Sequence, residues 1–362
     1  MTSCVLFIPT LTAGGAERVA SILANEWCNY PEAHVSVVTL FDEEVFYPLD
    51  PRIEHVCLGI RANNDGLPRL LDLFLTIFAL RRAIVERKPS FVLSFMNKYN
   101  AFCVIALFGT KQHIIVAERD SPTEALSRLR VVLRKITYPL AAAVLVQSQA
   151  ARDFIVSDTR ARHVMVLFNP VTQIIKERDR QPQKIILNVS RLHKKKGQGD
   201  LLEAFAAIGA KDWILVLCGD GPMRPVLEQR ARELGIIEQT KFLGTQTDLR
   251  PHLRSAGVFA FSSYWEGFPN ALAEAMLAGI PCVSYDCPTG PSELIEDGVN
   301  GILIPVGHVV EFTAALKRLV ENPELAAKMG QMAAAVADRV EIRSVSRRYW
   351  DTCLYAAEGR LV

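Results

Sequence analysis

The sequence has little that would mark a secreted, membrane-spanning or metal-binding chain. Its eight cysteines (Cys4, Cys28, Cys57, Cys103, Cys218, Cys282, Cys287, Cys353) are scattered, form no C-x-x-C pair and have mostly apolar neighbours. That pattern excludes a zinc ribbon or a disulfide frame and fits reduced core cysteines of a cytoplasmic protein. Met1-Thr2-Ser3-Cys4-Val5 lacks a basic leader, and the apolar run Val5–Pro9 is too short for a secretion signal. The longest greasy run, Leu70–Leu80, contains Asp72 and falls short of the roughly 20 residues that a spanning helix needs. Net charge is nearly absent, with 41 Lys and Arg against 39 Asp and Glu, which argues against a nucleic-acid binder. No D-x-D pair and no G-x-G-x-x-G occur, so a carboxylate-held metal and a nicotinamide or flavin site are both disfavoured.

What is present is a regular alternation of short β-branched runs with helical stretches. Cys4–Pro9, Val35–Leu40, Phe91–Phe95, Ile114–Ala117, Ala143–Gln147 and Val164–Phe168 read as buried parallel strands with crossover helices. Asn169-Pro170 and the polar stretch Lys176–Lys184 interrupt the pattern, which restarts with Ile185–Val189, Trp213–Cys218, Lys241–Leu243, Val258–Phe261, Pro281–Tyr285 and Gly301–Ile304. With 362 residues and half of them apolar, the chain can fill two cores. The expected α/β architecture is two doubly wound domains: 1–170, a linker at 171–183, a second domain at 184–341, and a closing helix within 342–362. Ligands then belong outside the carboxyl ends of the strands.

Ser263–Met276 is the stretch that stands out. Glu266 and Glu274 lie eight residues apart, with Gly267 and Pro269 just after the first, following the apolar run Val258–Phe261. This reads as strand, loop and helix, with Pro269 in the first turn and free amides near Asn270, Ala271 and Leu272 available to an anion. The helix Asn270–Leu277 is apolar except at Glu274, and a glutamate so placed wants a ligand or a cation. The plainer alternative is a pair of surface glutamates flanking a core helix. Upstream, Arg191 ends a strand and Lys196 follows five residues later beside a helix start, a pair able to hold a diphosphate without metal. Gly219-Asp220-Gly221-Pro222 and the turn at Leu243-Gly244 are further strand-end loops, each ordinary by itself. Gly14-Gly15 leaves the first strand, and a glycine pair either forms a plain turn or lets the backbone approach a phosphate.

Charge is segregated. Between Arg81 and Lys135 there are eleven Lys and Arg against four Asp and Glu, a local +7 balanced by −5 elsewhere. Leu67–Lys88 and Arg128–Tyr138 mix cations with apolar residues. Such helices lie on anionic lipid, grip phosphates, or pack on a core with their charges solvated. A grip on a diphosphate would use Arg81, Arg82, Arg87 and Lys88.

In this order, Gly14-Gly15, Arg191 with Lys196, Gly219-Asp220-Gly221, Glu266 to Glu274, and Asp297-Gly298-Val299-Asn300-Gly301 resemble family 4 of the retaining glycosyltransferases across essentially the whole chain. The resemblance implies the GT-B fold, two facing Rossmann-like domains with a cleft between them, the acceptor mainly on the first and the donor nucleotide mainly on the second. The branch it most resembles is that of bacterial galactosyl- and N-acetylgalactosaminyltransferases that extend undecaprenyl-diphosphate-linked glycans. The implied reaction moves a hexose or N-acetylhexosamine from a nucleotide-diphosphate sugar (UDP-Gal, GalNAc, Glc or GlcNAc) to a polyprenyl-diphosphate-linked glycan. It needs no cofactor and no metal, and it takes place at the inner face of the cytoplasmic membrane on a peripherally bound, cytoplasmic enzyme.

By the same resemblance Arg191 and Lys196 neutralise the donor diphosphate, Glu274 takes the ribose hydroxyls and Glu266 contacts the transferred sugar. The backbone of Gly267, Phe268, Asn270, Ala271 and Leu272 binds phosphate and sugar. Gly219, Gly221 and Leu243 border the base, and Gly14 and Gly15 approach the phosphate. Many family members carry a histidine where this chain has Arg119, beside Glu118. An arginine there can bind a hydroxyl or a phosphate but cannot act as a base. Two rival readings are a sugar-nucleotide epimerase on the same fold and a non-catalytic nucleotide-binding subunit.

Overall fold

The computed structural model describes residues 2–60, 69–119, 126–171 and 182–361. Seven strands form the first sheet: β1 (Thr2–Phe7), β2 (Ala33–Thr39), β3 (Glu54–Cys57), β4 (Phe91–Phe95), β5 (Ile114–Ala117), β6 (Ala143–Val146) and β7 (Val164–Val166). Six form the second: β8 (Ile185–Val189), β9 (Ile214–Cys218), β10 (Thr240–Gly244), β11 (Val258–Phe261), β12 (Cys282–Asp286) and β13 (Ile302–Pro305). The orders are β3-β2-β1-β4-β5-β6-β7 and β10-β9-β8-β11-β12-β13. Every pairing is parallel.

The helices of the first half are α1 (Gly15–Trp27), α2 (Arg69–Glu86), α3 (Asn97–Leu107), α4 (Arg128–Thr137) and α5 (Gln149–Asp158). Those of the second are α6 (Gln198–Ile208), α7 (Arg224–Glu233), α8 (Arg250–Ser255), α9 (Asn270–Leu277), α10 (Pro291–Leu294), α11 (Val309–Glu321), α12 (Pro323–Ala333) and α13 (Ala337–Val340), and α14 (Ile342–Ala357) closes the chain. Two compact units result, Met1–Pro170 with Ile342–Val362, and Val171–Glu341.

Burial on both faces explains why the strands read as continuous apolar runs. In β1, Cys4 and Leu6 enter one core cluster with Leu23, Trp27 and Trp350, whereas Val5 and Phe7 enter another with Leu80, Val104 and Tyr138. Alternate residues of one strand thus serve two helical layers. The last helix belongs to the first unit: Trp27 Nε1 donates to the Ser346 carbonyl at 2.9 Å, and the Trp27 and Trp350 rings meet edge to face at 5.3 Å. Such aromatic contacts fix α14 against α1 and β4.

At two points the structure differs from what the sequence suggests. β3 went unseen because it is an edge strand with mostly exposed residues, so it needs no apolar run. The uniformly helix-favouring stretch Glu324–Val340 is not one helix but α12, a tight turn at Ala334–Val336, and α13. Most of the expected linker at 171–183, the start of the Leu67–Lys88 helix and the residues just after Arg119 lie outside the described residues. Among those described, no helix is long and apolar enough to cross a membrane.

Candidate active site

In the second unit the loops leaving β8, β9, β11 and β12 are laced together by backbone contacts. After β8 the chain turns through Lys194–Lys196 into Gly197, whose φ of +61° is left-handed. A Cβ there would lie 2.1 Å from the Ser262 carbonyl oxygen, so only glycine lets the two loops touch. Ser262 Oγ donates to the Lys196 carbonyl at 2.9 Å, and the Tyr264 amide donates to the Lys195 carbonyl at 2.8 Å. Gly219, at φ +137°, plays the same part after β9, where a Cβ would sit 2.0 Å from the Ser190 carbonyl.

This lacing brings Lys196 Nζ to 2.6 Å from Glu266 Oε1, with both side chains largely withdrawn from water. The backbone of Glu266 is held too, since Thr289 Oγ1, from the loop after β12, donates to its carbonyl oxygen. Arg191 is exposed at the carboxyl end of β8 and has no ion-pair partner among the described residues. Its backbone is braced from within: Gln198 Nε2 donates to Ser190 Oγ at 2.8 Å and to the Arg191 carbonyl at 3.0 Å. Ser190 in turn donates to Asn188, which donates to the Ala260 carbonyl of β11.

Helix α9 starts at this point with Pro269 before it and no side-chain cap. The first amides of any helix lack an intrahelical acceptor, so those at Ala271 and Leu272 present positive partial charge. Phe268 and Leu272 are buried, and Glu274, at 3% exposure, lies one turn along the helix. Glu266 and Glu274 therefore occupy separate elements, loop and helix. Leu243 and Gly244 end β10, and the Gly219 amide donates to the Gly244 carbonyl at 2.8 Å, which sets that turn beside Gly219–Gly221.

Several supporting residues escaped sequence reading because their partners are far away in the chain. Tyr285 Oη donates to Asp200 Oδ2 at 2.8 Å, and Tyr264 stacks on Tyr285 at 6.0 Å, fixing the approach to Glu266. Burial first, and then Asp200, push both phenols far above their ordinary range, so they stay neutral donors. Burial, reinforced by Glu266, pushes the Cys287 thiol up to about 12, which leaves it without thiolate character at neutral pH. Among the described residues no group of three or more His, Cys, Asp or Glu could hold a metal ion.

Gly14, Gly15 and Arg119 belong to the first unit. Gly14 caps α1 in an extended conformation, and the Glu17 carboxylate folds back over it, 2.2 Å from where a Cβ would be. Arg119 follows β5 and is clamped on its inner side: NH1 donates to Asn169 Oδ1, NH2 donates to Tyr349 Oη at 3.1 Å, and the guanidinium lies 5.2 Å from the Phe95 ring centre. Tyr349 Oη in turn donates to the Leu167 carbonyl at 3.0 Å. The arginine thus ties β5 and the exit of β7 to α14. Beside it, buried Glu118 accepts from Tyr138 Oη at 2.5 Å and Asn97 Nδ2 at 2.8 Å.

Known proteins resemble the chain in sequence and in fold. The family model described as glycosyl transferases group 1 matches residues 172–336. An α-1,4-N-acetyl-D-galactosaminyltransferase of Campylobacter jejuni, named for a diNAcBac-PP-undecaprenol-linked glycan, is 27% identical over 330 residues, 90% of each chain. The amylovoran biosynthesis glycosyltransferase AmsD of Erwinia amylovora is 28% identical over 89% of this chain and 90% of its own. Among solved structures, HepE of Anabaena in complex with UDP and glucose superposes with a TM-score of 0.83 at 21% identity, covering 97% of this chain and 99% of its own. The lipopolysaccharide outer core galactosyltransferase WaaB superposes with a TM-score of 0.77 at 21% identity over the whole of both chains. The second unit thus carries the match to glycosyl transferases group 1, the relatives aligned over nine-tenths of the chain are glycosyltransferases, and the chain shares the two-domain Rossmann-like fold of the superposed structures.

Proposed function

We propose that the chain is a retaining glycosyltransferase that moves a hexose or N-acetylhexosamine from a UDP-sugar to a polyprenyl-diphosphate-linked glycan at the inner face of the cytoplasmic membrane. The observation that carries this reading is the Lys196–Glu266 pair, formed by two loops that also carry exposed Arg191 and lead into the uncapped start of α9. A nucleotide diphosphate brings at least two negative charges. Arg191, Lys196 and the first amides of α9 supply the complement, with no metal called for. Binding draws Lys196 toward phosphate and frees Glu266 to accept hydrogen bonds from the sugar. Glu274 accepts from the ribose hydroxyls, Gly219, Gly221 and Leu243 border the base, and the second unit is the donor domain. The first unit, with Gly14 and Gly15, handles the acceptor.

Transfer breaks the anomeric C–O bond, and its electron pair leaves with the nucleotide diphosphate. The acceptor oxygen forms the new bond on the same face, and its proton passes to the departing phosphate oxygen. Prearranged cations and amides stabilise the charge that develops on the leaving group. The lipid-linked acceptor is argued from the glycan named for the Campylobacter jejuni relative. Incubating the enzyme with UDP-sugars and an undecaprenyl-diphosphate glycan should add the mass of one hexose or N-acetylhexosamine, with the anomeric configuration kept. Isomerised UDP-sugar without acceptor would make it an epimerase instead, and UDP binding without turnover would make it a non-catalytic subunit.

A further inference from the structure

The first unit contains a helix turned inside out. In α4, Leu129, Val132 and Ile136 recur at three- and four-residue spacing, the signature of a core-facing stripe. Yet Leu129 is 68% exposed, Val132 51% and Ile136 60%. The buried residues are Arg134 and Thr137, and Arg134 is paired with Asp158 at 2.7 Å and lies 4.9 Å from the centre of the Phe154 ring. Water as the only neighbour does not account for an apolar stripe held outward by a buried ion pair. Burying the stripe instead would have been the cheaper fold.

The stripe is not isolated. Helix α3 packs between α2 and α4, and large apolar side chains are also exposed on α2, at Phe74 (67%) and Phe78 (65%), and just past the end of α3, at Phe108 (68%). The inner faces of α2 and α3 are conventional, with Leu80, Ile84, Val104 and Leu107 in the core. Scattered exposed apolar residues are normal, whereas a set of this size on three adjoining helices marks a contact surface. Its charged company is cationic. Exposed Arg128 and Arg130 flank the α4 stripe, and Lys135 stands beside Ile136. Among the described residues, the acids on these helices are Asp72 and Glu86, the latter paired with Arg82; Asp158 of α5 pairs with Arg134 and Lys135, and buried Glu118 accepts from Asn97 of α3.

We propose that the outer faces of α2, α3 and α4 form a membrane-docking surface that seats Phe74, Phe78, Phe108, Leu129, Val132 and Ile136 among the acyl chains of an anionic bilayer, with Arg128, Arg130 and Lys135 at the phosphate level. This deepens the reading of a lipid-linked acceptor by naming the surface and the lipid charge it selects. Positive charge favours lipid over a second apolar copy of the chain, since two such faces would bring their cations together.

Sedimentation with vesicles tests the surface. The protein should pellet with phosphatidylglycerol-rich vesicles at low salt, and much less with phosphatidylcholine alone. Replacing Leu129, Val132 and Ile136 together by serine should weaken partitioning by about tenfold or more, because binding scales with apolar area. Arg128→Glu with Arg130→Glu should cost about fivefold per cation and remove the preference for anionic lipid. None of these side chains supports the core, so the variants should keep the parent's melting temperature. Parent protein that stays in the supernatant, or a triple-serine variant that binds like the parent, would overturn the proposal. So would a solution dimer that dissociates in the triple-serine variant. Slow UDP-sugar hydrolysis in vesicle-free buffer reports on the transferase reading separately. Vesicle binding without any hydrolysis upholds the surface and removes only that reading.

Discussion

Lys196 Nζ and Glu266 Oε1 lie 2.6 Å apart, although seventy residues separate them in the chain. Their loops are held together by backbone contacts that tolerate no side chain at Gly197, so the pair comes preformed. Two largely buried opposite charges cancel until a third, anionic group arrives.

Removing either partner should therefore harm more than one step. Glu266→Ala should lower sugar transfer by roughly a hundredfold or more, the scale on which one prearranged contact to the reacting group acts. Lys196→Ala should weaken donor binding and slow departure of the diphosphate. The double variant should be less impaired than the product of the singles, because each single leaves an uncompensated charge. Steady-state kinetics on all three decide it, and strict multiplicativity would count against the pair.

Glu274 is buried on α9 and does not face the reacting carbon in this reading. Glu274→Gln should raise the donor KM by roughly tenfold, the value of one charge-assisted hydrogen bond, with kcat little altered. An unchanged KM for the sugar nucleotide would remove the ribose assignment.

Gly197 and Gly209 offer a matched pair, with φ +61° and +66°. A Cβ at Gly209 meets nothing within 4 Å, whereas one at Gly197 collides with the Ser262 carbonyl. Gly209→Ala should cost about 1 kcal/mol of backbone strain. Gly197→Ala should cost clearly more and lower donor affinity as well. Urea unfolding of the two variants side by side, with UDP titration, checks both.

Arg119 is engaged by Asn169, Tyr349 and the Phe95 ring, all in the first unit. Arg119→Ala should destabilise that unit by about 1–3 kcal/mol, the cost of orphaned buried partners. Arg119→Lys should not restore it, because an ammonium cannot reproduce the planar fork. Differential scanning calorimetry on the full chain should show the loss.

Glu17 carries a pH dependence whose sign follows from its surroundings. Burial raises its carboxyl above the ordinary range, against weaker lowering by its own amide and by Thr10. The fold thus favours the protonated form, and stability declines as pH rises from the unfolded value through the raised one. Glu17→Gln should be more stable than the parent at pH 8, and the difference should vanish below about pH 4. Equal stabilities at pH 8 would sink the argument.

How much of this could be read from residues alone depends on whether the cause was local. Strands such as Phe91–Phe95 and Val258–Phe261 were legible because parallel strands buried on both faces must be apolar throughout. The Glu266–Glu274 spacing and the start of α9 at Asn270 were legible because Gly267, Pro269 and the apolar run act within one turn. β3 was not, since an edge strand obeys no such rule.

Composition and periodicity determined two α/β units, the buried strands that build them, and the loops that carry Arg191, Lys196 and Glu266. Tertiary structure alone decided that Lys196 faces Glu266, that Thr289 holds the Glu266 backbone, and that Arg119 braces α14. It also decided which way α4 faces. A helical stripe has the same period whether it points inward or outward. Burying Arg134 rather than Leu129 depends on Asp158, twenty-four residues away and brought near only by folding.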